Sequence, residues 1–205
     1  MSRLSLIATM ALWLAGAATV AAQSRADKDT PPHTNKNMPP AVKAVVGRPA
    51  PDFALRGSDG KTYKLSDLKN KIVVLEWWNR DCPVSRRYVP TMKKLATKYA
   101  DKGVVWLGVD STHYQTAKKR QMFIKKHKIP YPILIDKDGH VGRTYGAKTT
   151  PHMFIIAKGK LVYTGAIDDR HGRNHVAEAL DALLAGKPVP LAKTRPFGCS
   201  VKYRK

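Results

Sequence analysis

Cysteine is scarce in this chain: among 205 residues there are only Cys82 and Cys199. Two cysteines exclude a multiply cross-linked scaffold and a cysteine-only zinc cluster. Negative charge is short as well. Fifteen acidic residues face 37 lysines and arginines, giving a formal net charge of +22. The excess is spread along the whole chain. It favours solubility and attraction to anionic lipid or envelope polymer, with a solvated basic surface as the plainer account. No recognisable nucleic-acid-binding motif accompanies the charge, so nucleic acid is not expected as a partner. Long apolar runs are missing beyond the first 22 residues, which excludes a later membrane-crossing segment.

What is present begins at the N-terminus. Met1 to Ala22 carries Arg3, then an apolar stretch ending in the small residues Val20-Ala21-Ala22, the pattern of a cleaved export signal. An uncleaved anchor is the alternative. Residues 23–45, with Pro31, Pro32, Pro39 and Pro40 among polar residues, read as a flexible linker. Residues 46–190 form the expected domain, and 191–205 a basic, loose tail that contains Cys199.

The domain is organised around Ile72 to Tyr99. Ile72-Val73-Val74-Leu75 has the composition of a strand buried on both faces. After Cys82-Pro83, the residues Val84, Tyr88, Met92, Leu95 and Tyr99 recur at helical spacing among basic residues. Cys82 therefore stands at a helix start, where unpaired N–H groups and the helix dipole favour a thiolate. Arg80, Arg86 and Arg87 are expected to favour it further, and Asp81 to oppose it. An inert buried thiol is the plain alternative.

Around this centre the pattern predicts a hairpin over Ala50 to Leu65 and strands at Val104 to Asp110 and Pro132 to Asp136. A basic helix is expected over Thr116 to Lys128, with Met122, Phe123 and Ile124 as its apolar part. A second hairpin joins Met153–Ile156 to Leu161–Gly165, and a last helix runs from Asn174 to Leu184. The order specifies an α/β, three-layer fold with a central mixed sheet and helices on both faces.

Specific residues carry a family resemblance. An apolar strand, Trp78, Cys82-Pro83 and a helix containing Pro90, with Thr150-Pro151 before a later apolar run, resemble the thioredoxin superfamily. The segments APDF from Ala50, GKTYKLSDLKNK, DCPVS, TTP and GAIDD resemble its exported redoxin and peroxiredoxin-like branch, of the alkyl hydroperoxide reductase and thiol-specific antioxidant type. The likeness covers about Val46 to Asp169. It implies a thioredoxin-like fold, a nucleophilic Cys82, Glu76 as a buried carboxylate that relays a proton, and a cis proline at Pro151. That proline would pack beside the sulfur and shape a backbone edge for substrate. Asn79 would steady the sulfur's charge, with Pro83, Ser85, Trp78, Thr150 and Arg80 in support.

The departures are equally specific. Ser85 stands where thioredoxins carry a second cysteine, so no local disulfide can form. Asn79 and Leu75 stand where peroxiredoxins carry Thr or Ser and Pro, so the peroxidase signature is absent. Cys199 is the internal partner left for Cys82, as a structural bridge, as a resolving thiol, or as the contact for another protein.

The chain is thus expected to be an exported, periplasmic or secreted, thiol-dependent oxidoreductase without a cofactor. Its partners would be a thiol or disulfide protein, a small thiol reductant, or peroxide. The alternative is a non-enzymatic module with a Cys82–Cys199 bridge that binds metal or envelope components. Histidines do not cluster with the cysteines. His152 beside Pro151, and Asp168-Asp169 with His171 and His175, are better explained by packing and turn chemistry than by a metal.

Overall fold

In the computed structural model, which describes residues 43–205, the apolar runs lie side by side as strands and the helix-spaced segments cover them. Strands β1 (Ala54–Arg56) and β2 (Thr62–Lys64) form a small antiparallel hairpin, followed by a 3-10 turn at Leu65–Leu68. Strand β3 (Ile72–Trp77) leads to α1 (Pro83–Ala100), β4 (Val104–Asp110) and α2 (Ala117–His127). Then come β5 (Ile133–Ile135), α3 (His140–Tyr145), β6 (Thr149–Thr150), β7 (His152–Ala157) and β8 (Lys160–Gly165). Helix α4 (His175–Leu184) and strand β9 (Cys199–Ser200) complete the chain.

The main sheet has the order β5-β4-β3-β7-β8. Strands β3, β4 and β5 are parallel, whereas β7 and β8 run antiparallel to them. The sheet is therefore mixed, with β3 at its centre. Side chains alternate across β3, as strand geometry requires. Val73, Leu75 and Trp77 pack with Phe53, Val141 and Tyr145 on one face, and Val74 and Trp78 pack with α1, Phe123 of α2 and α4 on the other. Each such fully buried side chain contributes roughly 1.5–3 kcal/mol. Helices therefore lie on both faces, in a thioredoxin-like arrangement.

Three local expectations differ from the structure. Met122 is exposed, and Phe123 alone of the predicted apolar trio is buried. Helix α3 was not predicted. It occupies six residues between Gly139 and Gly146, both at positive φ, and is too short to show helical spacing.

The third difference is the tail, which is docked. Strand β9 pairs with β6, with Thr150 opposite Cys199. Beyond it, Val201 N–H donates to Lys148 O at 3.1 Å, His113 N–H to Lys202 O at 3.1 Å, and Tyr203 Oη to Ala147 O at 2.9 Å. The Arg143 guanidinium lies 4.7 Å from the Tyr203 ring centroid. Upstream, Phe197 packs against Tyr88, and the Thr194 hydroxyl accepts from Ala166 N–H at 2.9 Å. Basic composition concealed a segment that satisfies its backbone groups against the domain.

The expected signal segment, residues 1–22, lies outside the described residues, as does nearly all of the 23–45 linker. No described helix is long and apolar enough to cross a membrane.

Candidate active site

Strand β3 ends by delivering Trp78 to the core and Cys82 to the first position before α1. Trp78 is buried edge-on against Phe123. Asn79 shapes the turn between them: its Oδ1 accepts from Asp81 N–H at 2.8 Å and its carbonyl from Cys82 N–H at 3.2 Å. Asn79 thus holds the loop that presents the sulfur. Pro83 occupies the first helical position, where its missing N–H costs nothing.

Cys82 is the N-cap of α1, and its Sγ accepts from Ser85 N–H at 3.4 Å. When protonated, the same sulfur donates to Thr150 O at 2.9 Å. Thr150 precedes Pro151 through a cis peptide bond, as the resemblance implied, so strands β3 and β7 bring Cys82 and Pro151 together. The Ser85 side chain is buried, and its Oγ has no hydrogen-bond partner among the described residues.

Cys199 completes the sulfur site. Strand β9 sets it opposite Thr150, the residue whose carbonyl faces the Cys82 sulfur, and both cysteines are free. Burial raises the pKa of Cys82, but hydrogen bonds from the Cys199 thiol, Ser85 N–H, Thr150 and Cys199 N–H outweigh it and bring it down to about 7. Cys199 moves the opposite way: its hydrogen bond to Cys82 and its burial raise it, against Val84 N–H and Lys202.

The arginines expected to favour the thiolate are engaged elsewhere or point to solvent. Arg80 Nε pairs with Asp81 Oδ1 at 3.0 Å, and Arg86 and Arg87 are exposed. Asp81 also accepts from Gln115 Nε2 at 3.1 Å, which engages the charge expected to oppose ionisation.

The substrate edge expected beside Pro151 is occupied. Residues Cys199–Ser200 fill it by pairing with Thr149–Thr150, and the Thr150 hydroxyl donates to Cys199 O at 3.4 Å. A two-residue strand in a basic tail carries no periodic signal, so this contact was not legible beforehand.

Glu76 is fully buried on the α1 side of the sheet. Its Oε2 accepts from Trp106 Nε1 at 3.0 Å and from Tyr131 Oη at 2.8 Å. Burial raises its pKa to about 7, against the lowering effect of these two hydrogen bonds. A carboxyl that exchanges its proton near neutrality suits proton relay.

His152 is spoken for: Nδ1 accepts from Lys148 N–H at 3.2 Å, and Nε2 lies 3.1 Å from Thr164 Oγ1. Burial, with a smaller contribution from Lys148, lowers its pKa to about 4, so it is a neutral core residue. Asp168 and Asp169 accept turn N–H groups from Arg170, His171 and Arg173, and Asn174 caps α4 through Ala177 N–H at 2.8 Å.

A buried polar chain on the opposite face had no sequence signal. Trp77 Nε1 donates to Ser111 Oγ at 3.0 Å, and Ser111 donates to Asp136 Oδ2 at 2.6 Å. Asp136 also accepts Val141 and Gly142 N–H groups at the start of α3. This network braces the segment that leads to β6.

Comparison with known proteins bears on the family and the fold. The AhpC/TSA family model matches residues 46–164. The thiol-disulfide oxidoreductase ResA of Bacillus thuringiensis is 35% identical over 121 residues, covering 58% of this chain and 69% of that protein. An uncharacterised conserved protein of Geobacillus kaustophilus has a crystal structure that superposes with a TM-score of 0.71 at 30% identity, covering 82% of this chain and 98% of that one. A putative thiol:disulfide interchange protein DsbE of Chlorobium tepidum gives 0.54 at 30% identity, covering 60% and 85%.

Proposed function

Because the chain belongs to the AhpC/TSA family, we propose that it is a thiol-disulfide oxidoreductase whose redox couple is Cys82 and Cys199. The observation that carries this reading is the register that sets Cys199 of the docked tail opposite Thr150, whose carbonyl accepts from the helix-capping Cys82 thiol, with both cysteines free. A thiolate at Cys82 is held by Ser85 N–H at the helix start, and the second cysteine is carried on the strand paired beside Thr150. Forming their bond needs no unfolding of the tail. Cys199 thus supplies what Ser85 withholds, a partner for the helix-cap thiol.

Disulfide exchange is favoured over peroxide reduction by Asn79. In the place where peroxiredoxins use a hydroxyl residue, its side-chain oxygen is committed to Asp81 N–H. Glu76 serves as proton relay, and Pro151 with Thr150 fixes the backbone against which the couple sits. Residues 1–22 direct export, where a thiol or disulfide protein is the partner. The relatives named as thiol-disulfide oxidoreductases support this chemistry.

The test is equilibration of the protein in dithiothreitol redox buffers, followed by intact mass and peptide mapping. The expected product is a reversible Cys82–Cys199 disulfide that passes its electrons to a model disulfide. A protein that stays a dithiol in oxidising buffer overturns the reading. Parallel exposure to stoichiometric peroxide separates the two chemistries: rapid sulfenic acid at Cys82 would transfer the role to peroxide.

A further inference from the structure

The two sulfurs are not equally open to a partner. Cys82 is 2% exposed, beneath the β6–β9 pair, whereas Cys199 is only partly buried. The backbone edge beside Pro151, along which an extended partner would reach Cys82, is filled by Cys199–Ser200. Resting on the Cys82/Cys199 couple proposed above, we infer that Cys199 is the partner-facing sulfur: the mixed disulfide with the substrate forms on Cys199, and buried Cys82 resolves it.

The surroundings supply partners for both proton placements. With the proton on Cys199, the Cys82 thiolate accepts from Ser85 N–H, and the neighbouring Cys199 favours its charge. With the proton on Cys82, its S–H donates to Thr150 O, and the Cys199 thiolate is faced by Val84 N–H and Lys202. Movement of one proton from Cys199 to Cys82 therefore arms the outer sulfur.

In the reducing direction, the Cys199 thiolate attacks one sulfur of a substrate disulfide. The substrate S–S bond breaks, a bond from Cys199 to the substrate sulfur forms, and the first substrate thiolate leaves and takes up a proton from solvent. Cys82 gives its proton, by way of the Glu76 relay proposed above, to solvent, and its thiolate then attacks Cys199 Sγ, displacing the second substrate thiolate, which is protonated in turn. Two electrons pass from the protein dithiol to the substrate, and two protons pass through solvent. In reverse, an incoming thiolate attacks the accessible Cys199 sulfur of the oxidised couple. Cys82 departs as the better leaving group, because the helix start and its hydrogen bonds stabilise its thiolate.

This order separates exposure from acidity. Acidity favours first reaction at Cys82, and access favours Cys199. The reduced wild-type protein is treated at pH 7 with a substoichiometric, bulky peptide disulfide bearing a thiopyridyl leaving group, quenched early and mapped. First modification at Cys199 is the expected result, and first modification at Cys82 overturns the order.

Single-cysteine variants provide the second measurement. Cys82→Ser is expected to accumulate a stable mixed disulfide on Cys199. Cys199→Ser is expected to react roughly tenfold or more slowly than Cys82→Ser, since reaction at Cys82 then requires local opening of the strand above it. Equal rates, or a faster Cys199→Ser variant, overturn the inference. A wild-type protein that forms the internal disulfide yet reacts first at Cys82 rejects the order alone. One that forms no internal disulfide rejects the couple itself.

Discussion

The phenol of Tyr131 donates a hydrogen bond to Glu76 Oε2 at 2.8 Å inside the core, and Trp106 Nε1 donates to the same oxygen at 3.0 Å. Two neutral donors do not balance a full negative charge that has lost its water, which is why burial wins and the Glu76 pKa rises from 4.5 to about 7. That shift corresponds to roughly 3 kcal/mol between the two protonation states. Below pH 4.5 both folded and unfolded chains hold the proton. As pH rises toward 7, the unfolded chain loses it first, so the folded state is progressively penalised. Glu76→Gln cannot ionise. Its stability relative to wild type is expected to improve by up to roughly 3 kcal/mol from acid to mildly alkaline pH. Urea denaturation at a series of pH values measures this, and parallel curves for the two proteins would show that Glu76 ionises as readily in the folded chain as in the unfolded one.

The Cys199 thiol is the leading hydrogen bond among those that lower the Cys82 pKa. Removing that donor should matter more than removing a sulfur as such. The clean comparison is between Cys199→Ala and Cys199→Ser, each of which leaves Cys82 as the single thiol. Serine retains an S–H-like donor in its hydroxyl, and alanine does not. Thiolate absorbance against pH is expected to place the Cys82 transition higher in the alanine variant than in the serine variant. Coincident curves would assign the lowering to Ser85 N–H and the helix start alone. The linked stability has the opposite sign to that of Glu76: a lowered thiol pKa stabilises the fold above the ordinary thiol range, and this is lost as pH falls through about 7.

Much of this site was legible because its signals are local. An apolar run followed by helical spacing places β3 and α1, and the residues about their junction place Cys82. Thr150-Pro151 before an apolar strand placed the second wall through its resemblance. The tail was not legible, since nothing in Phe197-Gly198-Cys199-Ser200 distinguishes a docked two-residue strand from a loose end. Its docking depends on matching N–H and C=O groups along residues 147–150, which are distant in sequence. The role assigned to Arg80 shows the same limit from the other side. Charge near a cysteine in sequence suggests charge acting on the sulfur, whereas Arg80 turns to Asp81.

Arg120 and Asp110 form an ion pair at 3.0 Å whose side chains are 5% and 0% exposed. Asp110 also accepts Thr112 N–H at 3.0 Å, and burial raises its pKa against the lowering effect of Arg120. The pair ties α2 to the end of β4. Arg120→Ala leaves a buried carboxylate without its cation and is expected to cost about 3–5 kcal/mol in chemical denaturation. The double replacement Asp110→Leu/Arg120→Leu should recover part of that loss, because it removes the stranded charge along with its partner. A loss below about 1 kcal/mol for Arg120→Ala would mean that water reaches the pair and solvates it.

Gly198 sits at φ +137, immediately before Cys199, and a Cβ there would collide with Thr150 O, the atom that also accepts from Cys82 Sγ. A side chain at this position cannot coexist with the β6–β9 pairing. Gly198→Ala is therefore expected to lift the tail strand from β6 and carry Cys199 away from Cys82. Formation of the internal disulfide should slow by roughly tenfold or more as the preset contact is lost, while alkylation of Cys82 accelerates because its cover is gone. Gly186→Ala is the control: Gly186 also has positive φ, at +70, but no atom lies within 4 Å of the added Cβ. It carries the backbone strain without the collision and should leave both rates unchanged. If Gly198→Ala also leaves them unchanged, the tail adapts without leaving the site. Accelerated alkylation without slowed disulfide formation would show that Cys199 finds Cys82 through motion of the tail, and that its docking protects the thiolate more than it positions the couple.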